Sequence, residues 1–372
     1  MKKLLRSIVV LAAMAMMTLG ATSMVSAMEP AVTLKEDVVY GDAYTVRSYT
    51  WNQNDKITDT TQGYIIPLVV KKPGVVFIDV TNCSIEKDAW FAVFKDPACD
   101  QTTTFYESVY VGEKQTSGHF NAEKAGTYYL KISSNSYKET YTNSATISMI
   151  YVSNSEKTVT SGKKYFLAAK SNSDVQYFKY TAKATGFVTV SAPGKYGCYS
   201  EFLNSKKSVI SEKEYLSSTN KWTTIYAVKK GQTYYVKVSA LYPGEIHLLS
   251  VNQKAVKEKS GKSKKKAKAL KAKKAAKGTV QIGEKGDWYK LKLKKKKALT
   301  IMLKVAEQND LKISLYNSKG KRIDRAAVVG TGTNTFKVTY GSTFQKANKG
   351  TYYLKVERNT KKSSGYYELS WK

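Results

Sequence analysis

From about residue 30 onward, apolar and polar residues mostly alternate with a period of two. Three stretches do so almost identically: AEKAGTYYLKI from Ala122 to Ile132, AVKKGQTYYVKV from Ala227 to Val238, and ANKGTYYLKV from Ala347 to Val356. Successive side chains of a strand point to opposite faces, so Tyr128, Leu130 and Ile132 share one face, and Tyr129 and Lys131 the other. The same rule puts Tyr234, Val236 and Val238 inward with Tyr235 and Lys237 outward. It also puts Tyr352, Leu354 and Val356 inward with Tyr353 and Lys355 outward. The preceding Gly126, Gly231 and Gly350 suit tight turns. The first tyrosines of the three pairs lie 106 and 118 residues apart, which is the length of a whole domain.

Other strands surround each copy in a matching order. An aromatic strand reads GYIIPLVV (Gly63 to Val70), VQYFKYTA (Val175 to Ala182) and DWYKLKLK (Asp287 to Lys294). A β-branched strand follows at Gly74 to Val80, Gly186 to Ala192 and Ala298 to Val305. A strand entering a turn comes next at Ala89 to Asp96, Cys198 to Lys207 and Leu311 to Lys321. Closing strands run from Ser144 to Val152, Gly244 to Val251 and Gly365 to Trp371. Many short strands and no amphipathic helix predict an all-β chain of three tandem antiparallel β-sandwich modules, jelly-roll or Ig-like, over residues 28–152, 153–252 and 278–372.

Ahead of them, Lys2, Lys3 and Arg6 precede an apolar run from Ile8 to Leu19 and the small residues Val25-Ser26-Ala27. This reads as a cleaved signal peptide over residues 1–27, with the mature chain starting at Met28. No later stretch is apolar enough for a transmembrane span, so the protein is expected to be secreted or cell-wall associated.

The order of motifs in the third module, carried by Asp287, Tyr289, Asp310, Leu311, Leu315, Tyr316, Gly320, Gly350, Tyr352, Tyr353 and Tyr366 to Trp371, resembles the bacterial pre-peptidase C-terminal domain family. The second module is similar to a lesser degree and the first loosely. The resemblance implies β-sandwich modules of the kind appended to secreted peptidases and surface proteins. No catalytic domain is left over once three modules are assigned. Some relatives bind calcium through clustered acidic residues. Here the region ahead of each module is Lys-rich or mixed, Asn309 and Asp310 read as turn residues, and no cofactor or metal is expected.

Composition narrows the function. The formal charge of +32 falls to +29 without Lys2, Lys3 and Arg6. An exported protein this basic concentrates on polyanions by releasing their counterions. Expected partners are an anionic polymer, such as the teichoic acid of a Gram-positive wall or an acidic glycan, or an extracellular protein; a secreted enzyme partner is also open, and nucleic acid is disfavoured. Residues 253–277 hold twelve lysines against the single Glu258, so they predict an extended linker. Lys264, Lys265, Lys266, Lys273 and Lys274 there are its candidate polyanion contacts.

With 28 Tyr and five Trp, outward aromatics beside lysines are candidate ligand contacts: Tyr129, Lys131, Tyr235, Lys237, Tyr353, Lys355, and the polar-context Trp51 and Trp222. The bland alternative is that such pairs merely stabilise and solubilise sheet faces.

Three cysteines allow one internal disulfide. Cys83 and Cys99, 16 residues apart, are the candidate pair, closing a loop that would stabilise by ~3 kcal/mol. Only His119 and His247 are present, and no HExxH, GxSxG or phosphate loop occurs, so the chain reads as non-enzymatic. Three functions stay open: a binding protein, an enzyme accessory or hidden enzyme in the first module, and a self-associating surface-matrix component.

Overall fold

A computed structural model describes residues 30–36, 39, 45–53, 64–85, 88–134, 141–306, 310–328, 334–339 and 347–372, with backbone alone at 45–53, 134, 141–142, 220, 326–328 and 334–339. The predicted signal segment lies outside the described residues. The chain is all-β, and among the described residues 27 strands form six sheets.

Those sheets pair into three sandwiches of nine strands with one topology. In the first sandwich the five-stranded sheet runs Val32–Thr33, Tyr64–Val70, Gly126–Ser134, Ala89–Phe94, Thr102–Val109. The four-stranded sheet opposite runs Thr45–Gln53, Tyr141–Ser153, Gly74–Ser84, Thr116–Ala122. Numbering strands within a sandwich, this is first-third-eighth-fifth-sixth against second-ninth-fourth-seventh. The second sandwich, from Lys157–Val159 to His247–Ala255, and the third, from Lys268–Ala269 to Gly365–Trp371, repeat it strand for strand.

The thrice-repeated GTYYLKV-like segment is therefore the eighth strand, at the centre of each five-stranded sheet, hydrogen-bonded on both sides. Its inward residues bury as the alternation requires: Tyr128, Leu130 and Ile132; Tyr234, Val236 and Val238; Tyr352, Leu354 and Val356. A buried tyrosine must satisfy its hydroxyl, and all three do so on the turn just before their own strand. Tyr128 Oη donates to the Lys124 carbonyl (3.1 Å), Tyr352 Oη donates to the Asn348 carbonyl (3.0 Å), and Tyr234 Oη accepts from the Lys229 N–H (3.0 Å). Of the three turn glycines only Gly231 is left-handed, at φ 78°; Gly126 and Gly350 are the first residues of their strands.

Successive sandwiches pack directly. Val75, Phe77 and Val152 of the first meet Phe166 and Ala168 of the second, flanked by Ile150, Ile246 and Leu248. Between the second and third, Phe187 lies 4.9 Å from Tyr366, and Gln281 Nε2 donates to the Val228 carbonyl (3.1 Å).

Residues 253–277 are not a linker. Gln253, Lys254 and Ala255 finish the last strand of the second sandwich, paired with Val188, Phe187 and Gly186. Lys268–Ala269 is the first strand of the third, parallel to Asp287–Leu293, and Ala276–Val280 is its second. Leu270 sinks into the third core, its N–H donates to the Lys290 carbonyl (2.8 Å), and its own carbonyl accepts from Trp371 Nε1 (2.8 Å). One buried leucine and a paired backbone outweigh the mutual repulsion of lysines whose ammonium groups remain in water.

The expected disulfide is absent: Cys83 and Cys99 are both free. Cys83 lies in the Gly74–Ser84 strand of one sheet, whereas Cys99 follows Ala89–Phe94 of the other. Between them the chain changes sheet and runs the length of that six-residue strand, roughly 20 Å, before it reaches Cys99, so the two thiols are not brought together. Cys198 is fully buried, and burial pushes its thiol up to about 12.

Two outcomes are expected. Tyr352→Phe should lower urea-unfolding stability by about 1 kcal/mol through loss of the turn bond, while Tyr353→Phe changes it little. A thiol reagent should label Cys99 in the native protein but Cys83 and Cys198 only after unfolding, and reductant should leave the melting temperature unchanged.

Candidate functional site

The outward residues of the eighth strands do not form three equivalent sites. In the second sandwich, Tyr235, expected exposed, is buried at 8% exposure. Alternation does point it out of the core, but the loop lysine Lys207 covers it, its Nζ lying 5.1 Å from the Tyr235 ring and 5.0 Å from that of Tyr177. Lys237 is held by Glu201 at 2.6 Å. Trp222, expected exposed, is half-buried against the second core, 6.3 Å from His247, on a left-handed backbone (φ 59°). Trp51 pairs in register with Asn143, and its side chain lies outside the description. Tyr129 and Lys131 are half-buried on the first sandwich.

On the third sandwich the outward residues open onto a cleft. Asp287–Leu293 alternates buried Tyr289, Leu291 and Leu293 with outward Trp288, Lys290 and Lys292. Register sets Lys290 beside Tyr353, Lys292 beside Thr351 and Trp288 beside Lys355. The Ala269–Ala272 stretch forms one wall and the turn after Leu293 another, enclosing about 910 Å³. Lys271, Lys290, Lys292, Lys294, Lys295 and Lys297 line it, with Tyr353 and Trp371, and among the described residues no acidic side chain does.

Two lysines are spent on aromatic rings: Lys297 Nζ lies 5.6 Å from Trp371, and Lys264 Nζ lies 4.9 Å from Tyr353 while donating to the Ser318 carbonyl. Lys355 pairs with Glu357 and approaches the Trp288 ring (5.8 Å). Lys290, Lys292, Lys294 and Lys295 make no ion pair with a described carboxylate. Of the predicted polyanion contacts, Lys265, Lys266, Lys273 and Lys274 are exposed on the same arm, and Lys264 is engaged with Tyr353.

A carboxylate cluster pins the arm that forms the cleft wall. Asp287, fully buried, accepts from Tyr367 Oη (2.7 Å), Ser260 Oγ (2.8 Å) and Lys262 Nζ (2.8 Å). Glu258 and Glu284 lie 3.2 and 3.3 Å from the same ammonium. Burial opposes the Lys262 charge, but Asp287, Glu258 and Glu284 outweigh it and raise its pKa. Glu258 is raised to about 7, by burial first and then by the neighbouring Asp287 carboxylate. Among the described residues, no group of three His, Cys, Asp or Glu side chains is arranged to hold a metal ion.

The two histidines sit elsewhere. His119 packs on Phe77 at 5.9 Å. His247 is fully buried; its Nδ1 faces the Ala192 carbonyl (3.2 Å) and its Nε2 faces Glu245 (3.5 Å). Cys198 feels the Glu245 charge, which with burial opposes formation of the thiolate a nucleophile needs.

The family model of the secretion system C-terminal sorting domain matches residues 295–365, within the third sandwich. This is not the pre-peptidase C-terminal family, and it lends no support to a Gram-positive wall. The protein is exported, to the cell surface or beyond. No curated protein matches the chain. Similar solved structures include the triple jelly roll of an archaeal virus turret assembly, at 12% identity and TM-score 0.17, over 90% of this chain and 87% of that one. Another is the CBM22-1-CBM22-2 tandem of Paenibacillus barcinonensis Xyn10C, at 9% identity and TM-score 0.20, over 91% and 98%. Tripeptidyl peptidase 2 superposes at 10% identity and TM-score 0.21, over 92% of this chain and 32% of that one. Superpositions this loose say nothing of function. No helix among the described residues is long and apolar enough to cross a membrane.

Between pH 4.5 and 7 the folded chain binds more protons at Glu258 than the unfolded one, so this group makes stability fall as pH rises through that window and level off above it. Thermal melting from pH 4 to 8 should show the decline, and Glu258→Gln should flatten it.

Proposed function

We propose that this exported protein is a non-catalytic attachment module that binds an anionic extracellular polymer through the lysine cleft of its third sandwich. One observation carries the reading: six lysines converge on a cleft that no acidic side chain among the described residues lines, although carboxylates pin the neighbouring arm. A cavity of one sign with apolar walls focuses field and favours a chain of negative charges over a single small anion. Binding should release counterions and weaken steeply with salt. Wall glycopolymers, acidic glycans and acidic proteins all present such chains.

The match of residues 295–365 to a sorting domain favours a second reading, in which the third sandwich also carries the export address. The resemblance to pre-peptidase C-terminal modules supports an accessory role beside a secreted enzyme. Deleting residues 257–372, the whole third sandwich with its arm, would separate address from attachment: retention inside the cell marks the former, and release into the medium the latter.

Heparin-column elution and co-sedimentation with isolated cell envelopes across a sodium chloride series test the cleft. Lys292→Glu with Lys294→Glu should weaken binding roughly tenfold at low salt and lower the eluting salt. Elution identical to the parent protein would exclude the cleft as the site.

A further inference from the structure

A second surface, on the sandwich next to the cleft, has different chemistry. At one end of the second sandwich, Tyr196 and Tyr242 stand in solvent at 44% and 53% exposure, with ring centroids 4.6 Å apart. Beside them Tyr199 and Tyr215, a cross-strand pair on the outer sheet face, lie 5.0 Å apart with Tyr215 at 49% exposure. Gly197 joins the two pairs: a Cβ there would fall 2.1 Å from the Tyr215 hydroxyl, so glycine lets that ring lie against the loop bearing Tyr196. Two cations flank the rings, Lys195 Nζ at 5.3 Å from Tyr196 and Lys213 Nζ at 4.2 Å from Tyr199.

The loop is anchored from beneath. The Tyr196 N–H donates to Glu245 Oε1 (2.8 Å), and Glu245 in turn faces His247 (3.5 Å). Gly194 allows the loop to settle on His247, where a Cβ would approach Nδ1 to 2.3 Å. These buried polar groups hold a loop that carries exposed rings, an arrangement that core packing does not require. The core of this sandwich is already filled by Phe178, Phe202, Tyr226 and Tyr234.

Exposed ring faces accept the C–H face of a pyranose, and the two lysines, held over Tyr196 and Tyr199 in the absence of a ligand, can turn from the rings to its carboxylate or sulfate. We infer that Tyr196, Tyr242, Tyr199 and Tyr215, with Lys195 and Lys213, form a stacking platform for the sugar rings of an acidic polysaccharide. The inference deepens the preceding proposal by naming sugar as the repeating unit, and rests on it only for the polymer's negative charge. Stacking persists in salt, whereas the lysine cleft does not hold its partner there.

The test compares two polyanions on the full chain: polygalacturonate, which has pyranose rings, and inorganic polyphosphate, which has none. Tyr196→Ala with Tyr242→Ala should weaken polygalacturonate binding roughly tenfold, a loss typical of removing stacked aromatics, abolish the fraction that survives 0.5 M salt (about the level where surface charges are screened), and leave polyphosphate binding unchanged. Tyr196→Phe with Tyr242→Phe keeps the ring faces and should bind polygalacturonate like the parent, which guards against a folding artefact. Unchanged polygalacturonate binding in the alanine variant, or an equal loss for both polymers, overturns the platform. Loss of polygalacturonate binding in the tyrosine variant with none in Lys292→Glu, Lys294→Glu would keep the platform and discard the cleft.

Discussion

Each sandwich depends on a buried tyrosine and on where its hydroxyl goes. The eighth strand of each unit is the most constrained, with backbone partners on both sides and one face in the core. Its inward tyrosine fills core volume that a leucine could also fill, but the hydroxyl ties the strand to the turn that precedes it by four or five residues. Such a bond is worth about 1 kcal/mol net, yet removing its partner would leave a buried polar group unsatisfied at greater cost. The tether therefore fixes the register of the strand on which third and fifth strands align. Register matters here more than energy, because a slip by one residue would carry Tyr129, Tyr235 and Tyr353 into the core and their neighbours into water.

The same register decides what the outer faces can do. On the third sandwich it lines up Lys290 with Tyr353 and Lys292 with Thr351, and the next wall comes from the lysine-rich 253–277 segment. That wall exists because Leu270 is buried and because Lys262 meets three carboxylates, one of them in the core. A buried ion cluster adds little net stability against an apolar alternative, but it disfavours any arrangement that leaves Asp287 without its partners. The cluster thus specifies where the arm lies, and the arm in turn gives the cleft its second side.

How much of this was legible in the sequence follows from the range of the forces involved. Period-two alternation is local, so the strands and the inward sets of all three eighth strands could be read directly. Residues 253–277 could not, since twelve lysines outvote one leucine in any composition argument and the partners of that leucine, Lys290 and Trp371, lie 20 and 101 residues away. Alternation gives Tyr235 an outward direction but not its exposure, because a loop lysine 28 residues before it covers the ring. Cys83 and Cys99 are close in sequence but are not brought together, because the chain crosses from one sheet to the other between them. Tyr196 and Tyr242 occupy loops with no periodic signal, and they meet because buried Glu245 and His247 draw those loops together.

The packing between units changes how multivalent binding would work. Three weak modules on floppy tethers gain affinity from effective concentration, which falls as tethers lengthen. Here the second and third sandwiches meet through Phe187, Tyr366, Gln281 and Val228, and no spacer separates them. A tyrosine platform on one and a lysine cleft on the other then stand at a separation set by packing. Such an arrangement pays less ordering entropy on binding and discriminates by the spacing of rings and charges along a polymer. The two surfaces respond to different variables as well: salt screens the lysines but not the rings, so the balance between them would shift with ionic strength while the geometry stays the same.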